Sequence, residues 1–143
     1  MKGEHAQAVD SALRCLGLFG IDIPAHPTWE QVQAGYETVW RTLDGRPIEG
    51  LIDLPLMTDP ELQAAMRLLF ELAHAAYFTD FLLRCLLLCR MANVSMQHGT
   101  SGPSAHAYGR LGTILGRVFH RYREGYRFAQ LACDLVEKHG FIA

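Results

Sequence analysis

Apolar positions recur three and four residues apart along almost the whole chain, the spacing that gathers side chains on one face of an α-helix. Between His5 and Phe19 that face holds Ala8, Ala12, Leu13, Leu16 and Phe19. Gly20 ends this segment, and Pro24 and Pro27 keep the following stretch extended. A second helix is predicted from Trp29 to Leu43, with Val32, Tyr36, Val39, Trp40 and Leu43 as its stripe. Thr28 and Gln31 stand at the two positions of a capping box. Asp44-Gly45-Arg46-Pro47 is a turn signal. The segment from Ile48 to Leu54 then reads as one helical turn whose Ile and Leu side chains plug a gap.

Thr58-Asp59-Pro60-Glu61 opens a third helix, which runs to about Ala76. A fourth starts at Thr79-Asp80 and runs to about Gln97. Its leucines, with Met91, Ala92 and Val94, cover nearly the whole circumference, so it is expected to sit at the centre of a layered stack. A fifth helix is predicted from Pro103 to Arg121. Tyr108, Leu111, Leu115, Val118, Phe119 and Tyr122 fall on one arc, and Gly109, Gly112 and Gly116 fall on its flank. Each glycine costs about 1 kcal/mol relative to alanine in a helix. Three along one flank therefore imply an unusually close neighbour. The opposite side carries His106, Arg110, Arg117 and Arg121. A sixth helix is predicted from Arg123 to His139, with Arg127, Gln130, Asp134, Glu137 and Lys138 as its polar arc. The expected fold is all-α: about six main helices in a single domain spanning residues 1–143, those from the third onward pairing as antiparallel hairpins. The third and fifth helices start about 44 residues apart, longer than the ~34 of a tetratricopeptide repeat but within the range of helical arrays.

Composition narrows the chemistry. Thirteen Lys and Arg stand against fifteen Asp and Glu, a net charge of -2. That balance argues against a general nucleic-acid grip, which needs a basic face to neutralise phosphates. The most apolar stretch, Leu68 to Val94, is interrupted by Glu71, His74, Asp80, Arg84 and Arg90, too many charges for a membrane span. Each of Cys15, Cys85, Cys89 and Cys133 lies in an apolar helical run and is expected as a reduced, buried thiol. No CxxC or HxxxH pair supplies a zinc set, and no cofactor or metal is expected. With no secretion signal following Met1-Lys2-Gly3, the expected location is cytoplasmic.

Two resemblances add context. Leu111-Gly112, Tyr122-Arg123-Glu124-Gly125 and Ala132 resemble parts of a tetratricopeptide repeat, one residue too far apart. Leu16-Gly17 through Pro24, Leu51 through Pro60, Ala76-Tyr77-Phe78-Thr79, Tyr108-Gly109 and Glu124 through Phe128 follow in order along nearly the whole chain. That series is similar to the helical segment following the ATPase module in large bacterial signalling proteins, which join a serine/threonine kinase-like domain, an AAA-type ATPase and a sensor histidine kinase. The resemblance implies tetratricopeptide-like hairpins in a right-handed array, without catalytic residues of their own. The chain has no GxxxxGK[ST] loop and no kinase catalytic loop, so it is expected to be a fragment of a longer protein.

The functional expectation is a non-catalytic helical-repeat scaffold for protein or interdomain contacts. His106, Arg110, Arg117 and Arg121 are either a solvated face or the docking surface for an acidic peptide or for the flanking ATPase and kinase modules. Tyr108, Tyr122 and Tyr126 are either core or groove aromatics. A homodimer through an exposed end helix is a further expectation. The alternative is a small-molecule sensor with a pocket of several hundred Å³, lined by the second and fourth helices.

Overall fold

The computed structural model describes residues 2–77 and 79–141. Its helices are α1 (Lys2–Leu18), α2 (Trp29–Leu43), α3 (Pro60–Ala76), α4 (Phe81–His98), α5 (Gly102–Arg117) and α6 (Tyr122–His139), with a 3-10 helix at Ile48–Asp53. The protein is all-α. Among the described residues the one extended pairing is an isolated parallel bridge between Leu56 and Thr100.

Local chemistry sets the helix starts. The Thr28 hydroxyl accepts from the Gln31 N–H while the Gln31 side chain accepts from the Thr28 N–H, so the capping box forms as its sequence requires. The Asp59 carboxylate caps α3 by accepting from Glu61 N–H, and Asp80 caps α4 by accepting from Leu83 N–H.

The central helix is α4, which packs against α2, α3 and α5. Leu83, Cys85, Leu87, Leu88, Cys89, Met91, Ala92 and Met96 are all buried along it. It separates two apolar clusters. Leu16, Leu69, Leu87 and Met91 belong to the one beneath α1 and α3. Val39, Leu51, Leu111 and Phe128 belong to the other, shared by α2, the 3-10 helix, α5 and α6. Successive helices from α3 to α6 pack on one another, α1 packs on α3, and α2 packs on α4. The connection between α1 and α2 makes that arrangement possible. It buries Ile21, and Arg90 of α4 donates to its Asp22 carbonyl at 3.1 Å.

The 3-10 helix does the plugging its sequence implies. Ile48 and Leu51 are 2 % and 1 % exposed. Arg127 of α6 grips Glu49 through two hydrogen bonds of 2.6 and 2.7 Å, and this holds the Glu49 carboxyl at about 2. The segment ahead of α3 is tied to the α4–α5 turn: Met57 N–H donates to the Thr100 carbonyl at 2.8 Å, and Thr100 N–H donates to the Pro55 carbonyl at 2.9 Å. Gly99 sits there at φ 109°, with no room for a side chain beside the Pro55 carbonyl. The same turn holds a buried hydroxyl pair, Ser95 and Ser104, 2.6 Å apart.

Several boundaries and faces differ from the sequence expectation. The fifth helix ends at Arg117, not Arg121. His120 takes a left-handed conformation at φ 57°, and Arg121 N–H donates to the Leu115 carbonyl at 2.7 Å. That tight turn brings α6 back onto α5. Ala8 is exposed rather than core-facing. Cys15 and Cys133 are exposed thiols, while Cys85 and Cys89 are buried. Tyr108 is core, whereas Tyr122 and Tyr126 are 66 % and 70 % exposed.

Candidate functional site

The four basic residues expected on one stripe divide into separate places. His106 and Arg110 come together at a pocket between α3, α4 and α5. Arg117 is exposed further along α5 and lines no cavity with them. Arg121, no longer on α5, lies over the Trp40 ring at 5.1 Å and pairs with Glu124 at 3.1 Å. A single stripe of four is therefore corrected to a pair, because the helix on which Arg121 was placed stops a turn earlier.

The structure supplies other members. The pocket encloses about 210 Å³, and His74 and Tyr77 from α3 and its end and Arg84 from α4 join His106 and Arg110 around it. Ala73 and Leu88 give it an apolar floor. The rings of Phe70, His74 and His106 form a compact group, with centroids 4.8 to 5.6 Å apart. The Arg84 guanidinium lies over the Tyr77 ring at 4.6 Å, a cation–π contact that fixes its plane. One signal for Arg84 was legible: a cation in a helix that is apolar all round must reach water or a partner. Its association with His74 and His106 was not, since it needs three helices in register.

The electrostatics of the pocket are one-sided. Burial and then the neighbouring Arg110 charge lower the pKa of Arg84. Burial, followed by Arg110, His74 and Arg84, pushes His106 down to about 4. Among the described residues no carboxylate lies within ion-pair distance of either guanidinium. The arrangement can therefore accept an anion: two guanidinium forks without a paired carboxylate face one small space beside two imidazoles.

His106 and Arg110 also form one wall of a second, more open groove of about 550 Å³ between α5 and α6. Gly109, Ala132 and Val136 make its surface largely apolar, and Thr113, Cys133 and Glu137 line it too. The space between α2 and α4, where a pocket of several hundred Å³ was expected, holds only about 160 Å³. The close seating of Gly35 against Leu86 explains that, since it draws the two helices together.

Other chemistry is sparse. Among the described residues no histidine hydrogen-bonds to a serine, threonine or cysteine; the Ser95, Ser101 and Ser104 hydroxyls bond to one another and to backbone. No group of three or more His, Cys, Asp or Glu among them could hold a metal ion. Among the described residues no helix is long and apolar enough to cross a membrane. Comparison with known proteins finds no matching family model, no matching curated relative and no matching solved structure.

Proposed function

We propose that this chain is a non-catalytic helical scaffold that works by contact, docking an acidic residue of a protein segment in the α3–α4–α5 pocket and the segment's apolar residues along the α5–α6 groove. One observation carries the reading: Arg84, His106 and Arg110 converge on a shared space with no carboxylate paired to them. Holding the part-buried Arg84 charge beside that of Arg110 is unfavourable, and an incoming anion relieves it. The apolar floor and groove supply the contact area that charge alone lacks.

The stacked helices support a tetratricopeptide-like array as the wider architecture, in which a first helix of a hairpin, here α5, faces the partner. The resemblance to the helical segment of ATPase–kinase signalling proteins makes flanking modules of such a protein the proposed source of the acidic segment. Exposed Tyr122 and Tyr126 on α6 support a neighbouring repeat or a second copy covering that helix. A small-anion sensor is the second reading, favoured by the pocket's enclosure by three helices.

The docking reading is tested by selecting short peptides from a random display library on the purified chain. Acidic sequences should be enriched, and their binding should fall at least about tenfold in Arg110→Glu while surviving in Arg41→Glu, an exposed α2 residue that lines neither cavity. Enrichment without acidic residues, or unchanged binding to Arg110→Glu, would defeat it.

A further inference from the structure

We propose that the α3–α4–α5 pocket takes the phosphoryl group of a phosphorylated side chain, with the apolar neighbours of that residue lying in the α5–α6 groove. This rests on the docking reading and names the chemical class of its anion.

Charge is the first argument. Arg84 and Arg110 are close enough for the charge of one to disfavour that of the other, and both face the pocket unpaired. A single carboxylate brings one negative charge. A phosphate monoester brings about −2 at neutral pH and three acceptor oxygens, enough for both guanidinium forks at once. His74 and His106, with ring centroids 5.6 Å apart, add further nitrogens at the same wall.

Size is the second. About 210 Å³ over Ala73 and Leu88 suits a compact head group on a short side chain.

The groove is the third. It starts at the shared wall of His106 and Arg110, and Gly109, Ala132 and Val136 give it an apolar surface. Glu137 stands along it, unpaired with Arg110. A carboxylate there repels a run of acidic residues. It tolerates one anionic group with apolar flanks, which is the pattern of a phosphorylated residue between hydrophobic ones.

The test uses the whole chain and three fluorescent short peptides of identical leucine-flanked sequence, differing only in a central phosphoserine, aspartate or serine. Anisotropy titrations should show the phosphoserine peptide binding about tenfold or more tighter than the aspartate one. Arg84→Gln and Arg110→Gln should each remove about tenfold of that affinity, and Arg41→Gln should remove none. Arg110 is exposed, so its replacement leaves the helices in place, as circular dichroism will verify. Equal binding of phosphoserine and aspartate peptides overturns the phosphoryl assignment while leaving acidic docking standing. Inorganic phosphate binding as tightly as the phosphopeptide overturns a protein segment as the source. Failure of all three peptides overturns both readings.

Discussion

Gly112 and Gly125 face each other across α5 and α6 so closely that a Cβ on either would stand 2.5 Å from the carbonyl oxygen of the other. The neighbouring pairs follow in reverse order along the two helices, Gly109 with Ala132 and Gly116 with Tyr122. The helices are therefore antiparallel, and the backbones themselves form the contact.

Gly112→Ala and Gly125→Ala should each destabilise the protein. Alanine gains about 0.5–1 kcal/mol of helix propensity. Forcing a methyl against backbone costs more, about 1–3 kcal/mol or above, because two helices must separate. Gly109→Ala is the contrast: its Cβ would meet Ala132 at 3.4 Å, an ordinary contact. There the propensity gain should win. Urea midpoints of the three variants decide the matter, and equal behaviour at positions 109 and 112 would contradict it.

Leu51→Ala should cost about 2–4 kcal/mol, a large effect for a residue in the longest connection of the chain. Its side chain is 1 % exposed and belongs to the same cluster as Leu111 and Phe128. Chemical denaturation measures the loss. A change below about 0.5 kcal/mol, the usual range for surface substitutions, would show that the 3-10 helix is a surface ornament.

Acid should weaken the fold through His106. Burial comes first and Arg110, His74 and Arg84 follow in lowering its pKa from 6.5 to about 4. Tyr77, and Glu137 and Cys133 on α6, complete the titratable groups around its two cavities. Between pH 6.5 and 4 the unfolded chain therefore binds a proton that the folded one excludes. The contribution is fully present above 6.5 and is lost as pH falls toward 4. After discounting for solvent screening at a half-exposed group, it amounts to on the order of 1–2 kcal/mol. Replacing His106 with Gln should flatten the pH dependence of the melting temperature in that window. An identical slope in the variant would locate the acid sensitivity elsewhere.

Two of the four thiols should react in the native protein. Cys15 and Cys133 are exposed, whereas burial pushes Cys85 up to about 11 and Cys89 up to about 12. Mass spectrometry after brief N-ethylmaleimide treatment should find Cys15 and Cys133 modified, and Cys85 and Cys89 only after denaturation. Because Cys133 lines the α5–α6 groove, a bulky maleimide there should also reduce peptide binding.

The helices were legible from residue order because local rules govern them. Period-3.6 stripes, Thr28 with Gln31, and Asp59 before Pro60 act within a turn or two, and α2 occupies Trp29–Leu43 as its pattern requires. The all-round apolar surface of α4 already implied its central place, and the glycine flank of α5 implied a close neighbour. Tertiary structure alone decided which neighbour that is and how the basic residues are grouped. Arg121 left the group when a left-handed His120 ended α5 early, a turn set by how closely α6 must return. His74, Arg84 and His106 met because three separate helices stack in one register, and a distance across helices is written in no local spacing.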